Sequence, residues 1–169
     1  MNKLLIIKIC TLLLLNITLL NGAEDYLNID AKHFESNKEK NILIFTGDVK
    51  MTKNQDILLC QRLVINTVTE KQTPKDYKAT GNVSFVLKTN DNLLKGKGDT
   101  VFYYPERQKY IIIGNGFLED TKEGKKIHAE KIYIDQLTGR TKIDGGKNKP
   151  IKFRLQLNEK KPKANNEKS

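Results

Sequence analysis

The sequence is poor in the residues that staple a small domain or give it chemistry. It has no tryptophan, four prolines, two histidines and two cysteines in 169 residues. Cys10 falls in an apolar N-terminal segment, so Cys60 stands alone in the rest of the chain and no intramolecular disulfide can form. His33 and His128 lie far apart, and neither is spaced for metal ligation with another His or a Cys. No nucleophile motif surrounds Ser36 or Ser84, and Asp48, Asp99, Asp135 and Asp144 recur near turns, where Asp bonds its own backbone. An enzyme, a metal site and a cofactor are therefore not expected. Helical periodicity is also missing from Leu27 to Leu157.

The one long apolar run is Leu4 to Leu20, interrupted by Lys8 and following a basic start at Lys3. It ends in Asn21-Gly22-Ala23 and gives way to Glu24-Asp25. A basic start, an apolar centre and a small-residue exit read as a signal peptide, residues 1–23, rather than as a bilayer span. The competing reading is a retained anchor. Formal charge falls from +10 to +8 without Lys3 and Lys8. A basic exported chain suits an anionic membrane surface or a phosphorylated ligand, and nucleic acid is not expected, although a solvated lysine-rich surface needs no partner at all.

What is present is strand. Apolar residues alternate at Leu43, Phe45, Val49 and Met51 and at Val83, Phe85 and Leu87, between turn-forming clusters at short, even intervals. The class is all-β: a sandwich, barrel, roll or solenoid. A small residue followed three places later by an apolar one recurs at Ala31/Phe34, Cys60/Leu63, Gly98/Val101 and Ala129/Ile132. A glycine follows each time, at Gly47, Gly81, Gly114 and Gly145, after 16, 21, 16 and 16 residues; the longer spacing is assigned to a polar insertion around Gln72 to Asp76. An offset of three flips a strand's face unless a bulge corrects it. The Gly-Asx steps "TGDVK", "ATGNVSFV" and "IGNGFL" therefore read as corners that fold an antiparallel sheet over on itself. Cys60 occupies the small-residue position and reads as a buried spacer. Gly116 stands where the other steps have Val49 and Val83, a departure expected to disturb register locally. Residues 24–157 form one domain and 158–169 a disordered basic tail.

The steps "FTGDVKM", "ATGNVSFV" and "IIIGNGFL", with the unit "LKGKGDTVFYYPERQKYIIIGNGFLE", resemble the OstA-like family of lipopolysaccharide-transport proteins over roughly Tyr26 to Leu157. The resemblance implies an antiparallel β-jellyroll, an open V-shaped roll of repeated strand pairs. It also implies a periplasmic carrier that bridges the inner and outer membranes. In that role an apolar trough shields the lipid A acyl chains of lipopolysaccharide, with no cofactor and no catalysis. Parity places Ile29, Phe34, Leu43, Phe45, Val49, Met51, Leu63, Ile65, Val83, Phe85, Val101, Tyr103, Ile112, Leu118, Ile132 and Ile134, together with Leu58 and Ile127, on one face. On the pattern alone an ordinary closed core is the better reading of this face; only the resemblance turns it into a lipid-binding one. Lys88, Lys95 and Lys97, beside an apolar strand, suit lipid A phosphates at the trough's rim, but plain solvated lysines are the better reading and none is named as a site.

Two alternatives remain open: an LptC-like component of the same pathway held in the inner membrane, and a β-roll structural or adhesion module with a dry interior. In either jellyroll reading, strands near Leu27 to Ala31 and Ile151 to Leu157 are open edges. Head-to-tail self-association, or docking to LptC-like and LptD-like jellyroll domains, is expected there.

Overall fold

The computed structural model describes residues 26–68, 73–88 and 92–157. The expected signal peptide and C-terminal tail lie outside the described residues. Ten antiparallel strands form one sheet: β1 (Leu27–Asp30), β2 (His33–Asn37), β3 (Ile42–Lys53), β4 (Asp56–Thr67), β5 (Pro74–Lys88), β6 (Leu93–Tyr104), β7 (Lys109–Asp120), β8 (Lys125–Asp135), β9 (Arg140–Asp144) and β10 (Lys152–Leu155). Six long strands, β3 to β8, pair in chain order as a meander. At one edge β1 and β2 share β3 as partner, and at the other β9 and β10 share β8, so the sheet does not close. Among the described residues the sole helical element is a short 3-10 turn, Pro105–Arg107.

The long strands run on without a break, but the register between them shifts near their middles. Register slips at Thr46/Val49, Thr80/Val83 and Ile113/Gly116, where two residues of β3, β5 or β7 face a single residue of the next strand. The two residues are Gly47-Asp48, Gly81-Asn82 and Gly114-Asn115, all with positive φ, near 80° for the glycines and near 50° for their partners. Glycine enters that region without steric cost, and Asn and Asp are the side chains that tolerate it best. The second residue also ties the corner to neighbouring strands. Asp48 accepts from Lys32 at 2.6 Å and from Gln61 at 3.4 Å, and Asn115 donates to Asp99 at 3.0 Å.

This seam of bulges divides the sheet into two walls. Wall A comprises 33–37, 42–46, 62–67, 74–80, 100–104, 109–113, 131–135 and 140–144; wall B holds the remaining halves. Their inner faces meet, with Phe85 of wall B and Tyr110 of wall A stacked at 6.4 Å between centroids. Between them lies the apolar core, in which Leu63, Ile112 and Ile132 are 0% exposed.

Three sequence expectations change. Gly116 leaves register undisturbed: it pairs with Ala129 as Val49 pairs with Cys60 and Val83 with Gly98. A Cβ there would come within 2.8 Å of the Ala129 carbonyl oxygen, so the smallest residue suits a place the backbone already fills. Gly145 is not a fourth positive-φ corner, since it lies in the break between β9 and β10. Pro74 to Asp76 belong to β5 rather than to an insertion, with Pro74 as first residue, a place where a strand tolerates its missing N–H.

Candidate functional site

The space between the walls is the candidate site. Alternation dictates what faces it: in β6, Gly96, Gly98, Val101 and Tyr103 turn inward while Lys95, Lys97 and Phe102 turn outward. The two glycines make room for neighbours. A Cβ on Gly96 would overlap the Phe85 ring, and one on Gly98 would come within 2.6 Å of Ile112 Cγ2. Phe85 can thus lie flat across β6 and reach Tyr110 on the opposite wall.

All the sequence-predicted inner-face residues except Phe34 and Tyr103 belong to one apolar cluster between the walls. Tyr103 lines a cavity of about 260 Å³ beside that cluster, with Leu63, Ala79 and Val101 from wall A and Met51, Leu58, Phe85 and Leu87 from wall B. Phe34 shares the inward parity, pairing with Phe45 with ring centroids 4.9 Å apart, yet it is 61% exposed. It stands on edge strand β2, beyond which no described strand continues the wall. The opposite edge mirrors this: Phe153 of β10 pairs with buried Ile127 but is itself 56% exposed.

Sequence reasoning named Tyr103 but missed Tyr77 and Tyr110, and with them the row the three form. Tyr77, Tyr103 and Tyr110 pair across β5, β6 and β7 as one inward row, with centroid separations of 5.8 Å and 4.3 Å. Their signal was parity, since Tyr77 lies two residues before Ala79 and Tyr110 two before Ile112. Burial, then the neighbouring Tyr103, pushes the Tyr77 hydroxyl up to about 12, and the same causes hold Tyr110 well above the usual phenol range. These hydroxyls stay protonated and serve as hydrogen-bond donors at the cavity wall. Lys53, Asn54 and Asp56 supply polar groups at the β3–β4 hairpin end.

Lys95 and Lys97 are not at this rim. Because Gly96 and Gly98 face inward, both lysines project from the outer surface of wall B, and Lys88 is on the same outer side. Cys60 is buried, and its thiol is pushed up to about 11 by that burial, the state of an inert spacer rather than a nucleophile. Among the described residues no group of three His, Cys, Asp or Glu is placed to hold a metal ion, and no helix is long and apolar enough to cross a membrane.

An unclosed antiparallel roll, folded along a line of Gly-Asx bulges around an apolar interior, is an open β-jellyroll of two walls. Residues 28–140 match the family described as LptA/(LptD N-terminal domain) LPS transport protein, and the chain belongs to that family. It is thereby a component of lipopolysaccharide transport, a non-enzymatic kind of function. In fold it is similar to LptH, the LptA-homologous periplasmic component of the lipopolysaccharide transport device of Pseudomonas aeruginosa. The TM-score is 0.69 at 15% identity, covering 79% of this chain and 97% of that one. No curated protein sequence matches the chain significantly.

Proposed function

We propose that the protein is a periplasmic carrier that shields the lipid A acyl chains of lipopolysaccharide between its walls on the way to the outer membrane. The supporting observation is the continuous inner face, apolar from Phe34 to Phe153 and uncovered at both ends. Removing a methylene from water is favourable by about 0.8 kcal/mol, so an apolar channel binds an acyl chain without further chemistry. The inner-face residues named from the sequence are the proposed contacts, joined by Tyr77, Tyr110 and Leu87. The cavity as it stands, about 260 Å³, lies just below the range of roughly 300–1,000 Å³ typical of small-molecule sites. It accommodates part of one chain, and several chains require the walls to part, with the bulge seam as the line about which they turn.

The exposed inner-face residues at the two edges favour copies stacking head to tail, or docking of LptC-like and LptD-like jellyrolls, so that the trough continues from one domain into the next and bridges the membranes. Open backbone edges at β1/β2 and β9/β10 supply the pairing. Export would remove residues 1–23, a step checked by the mass of the mature protein.

Titration with purified lipopolysaccharide tests the binding. With no tryptophan in the chain, emission comes from its six tyrosines, three of them in the Tyr77–Tyr103–Tyr110 row; a saturable change is expected in wild type and in a Y26F/Y104F/Y133F variant that leaves only the row to emit. It should be competed by a lipid A fragment and not by polysaccharide freed of the whole of lipid A. A ligand that leaves the emission unchanged and fails to co-sediment would refute the proposal.

A further inference from the structure

A second concave site lies on the outside of wall A and was not anticipated from the strand pattern. A groove of about 580 Å³ runs along the rim formed by the ends of β6, β7, β8 and β9. Its outer side is built from two adjacent rows of the sheet. Tyr104, Lys109, Asp135 and Arg140 form the rim row, and Ile111, Tyr133 and Lys142 belong to the next row in. Arg107 projects from the 3-10 turn that connects β6 to β7.

Four cations therefore line the groove against one carboxylate, a net lining charge of +3. That carboxylate, Asp135, is already engaged by Lys109 at 3.1 Å and by the Thr138 N–H at 3.1 Å, while Lys142 pairs with Asp144 at 3.4 Å just beyond the groove. No ion pair among the described residues involves Arg107 or Arg140, and both are exposed. The aromatic floor is polarised toward cations as well, with Lys131 at 4.7 Å and Lys142 at 5.8 Å from the Tyr133 ring centroid. Tyr110 and Ile134 also border the groove, although they face inward. The groove thus continues the trough around the rim to the outer surface.

We infer that this groove seats the phosphorylated saccharide of the same amphiphile whose acyl chains occupy the trough, an inference that rests on the carrier reading above. Two guanidinium forks with no ion pair among the described residues match phosphate oxygens in a bidentate way that ammonium groups do not. The ring of Tyr104 offers flat apolar surface with a polar tip, suited to the alternating C–H and hydroxyl faces of a sugar, while Tyr133 holds Lys131 and Lys142 beside the groove. Continuity with the trough allows one ligand to occupy both sites.

The test uses the full exported chain and four probes: purified lipopolysaccharide, its deacylated but phosphorylated oligosaccharide, that oligosaccharide after phosphatase treatment, and inorganic phosphate. The R107Q/R140Q variant is expected to bind lipopolysaccharide and the phosphorylated oligosaccharide about 3- to 10-fold more weakly than wild type, a gap that narrows as salt is raised. The phosphatase-treated oligosaccharide should bind both proteins alike, and K95Q/K97Q, on the outer surface of wall B, should bind as wild type does. Equal affinity of R107Q/R140Q and wild type for the phosphorylated oligosaccharide would overturn the inference. So would inorganic phosphate binding as tightly as the oligosaccharide, which would mark a free-anion site. If wild type binds no lipopolysaccharide, the carrier reading falls and takes the groove with it; normal binding unaffected by the two substitutions removes the groove alone.

Discussion

The middle of the roll and its two ends obey different rules. From β3 to β8 each strand runs unbroken through the corner, and the residues facing inward are covered from the opposite wall. At the ends the strand is cut in two, at Ala31-Lys32 before β2 and over 145–151 before β10, and inward-facing Phe34 and Phe153 are left in solvent. The same alternation of residue types therefore produces a closed core where a next strand exists and an exposed apolar face where it does not. A domain with this contrast is finished in the middle and unfinished at its edges, as a segment of a longer channel would be.

Substitutions should separate the two regions. Ile112→Ala, in the fully buried middle, is expected to lower unfolding free energy by about 2–5 kcal/mol in urea denaturation. Gly81→Ala comes next, at about 1–3 kcal/mol, because φ is +81° and the new Cβ would sit 2.9 Å from Gln61 Cβ. Alkaline pH acts on the middle through the tyrosine row. The Tyr77 pKa is raised from 10.0 to about 12 in the folded state, so its stabilising effect is whole below pH 10 and declines as pH rises toward 12. Phenolate absorbance from this residue should therefore appear together with unfolding rather than before it. At the ends, Phe34→Asp and Phe153→Asp should lower the unfolding free energy by no more than about 1.5 kcal/mol, the size of the Phe34–Phe45 ring contact, yet abolish concentration-dependent association in sedimentation velocity. Smallest of all is Lys32→Ala at the exposed Asp48 pair, for which no resolvable change in the denaturation midpoint is expected in physiological salt. An end variant that unfolds the protein, or a middle variant that merely stops association, would break the comparison.

The sequence made the corner readable because it violates strand periodicity: Cys60 to Leu63 and Gly98 to Val101 are both buried at an offset of three, which requires a bulge between them. The inner face followed from parity on either side of that corner. Exposure did not, since whether Phe34 is covered depends on what lies beyond β2 and not on Phe34 itself. The tyrosine row escaped because Tyr77, Tyr103 and Tyr110 come from three strands and become neighbours only through register. The rim groove escaped for the same reason: Arg107 and Arg140 are 33 positions apart in the chain and meet where two connections turn at the same rim. Lys95 and Lys97, weighed for the rim but read as solvated, do lie on the outer surface; their inward neighbours, Gly96 and Gly98, carry no side chain to announce the face they occupy.

The central claim is that lipid travels between the walls, and adjacent residues of β5 can decide it. Phe85 points into the trough and Val86 out of wall B, so a photo-crosslinking residue at each position in living cells makes one the control for the other. Lipopolysaccharide adducts at position 85 and none at position 86 are the predicted result. Adducts at both positions alike, or none at position 85 in an exported and folded protein, would contradict the account.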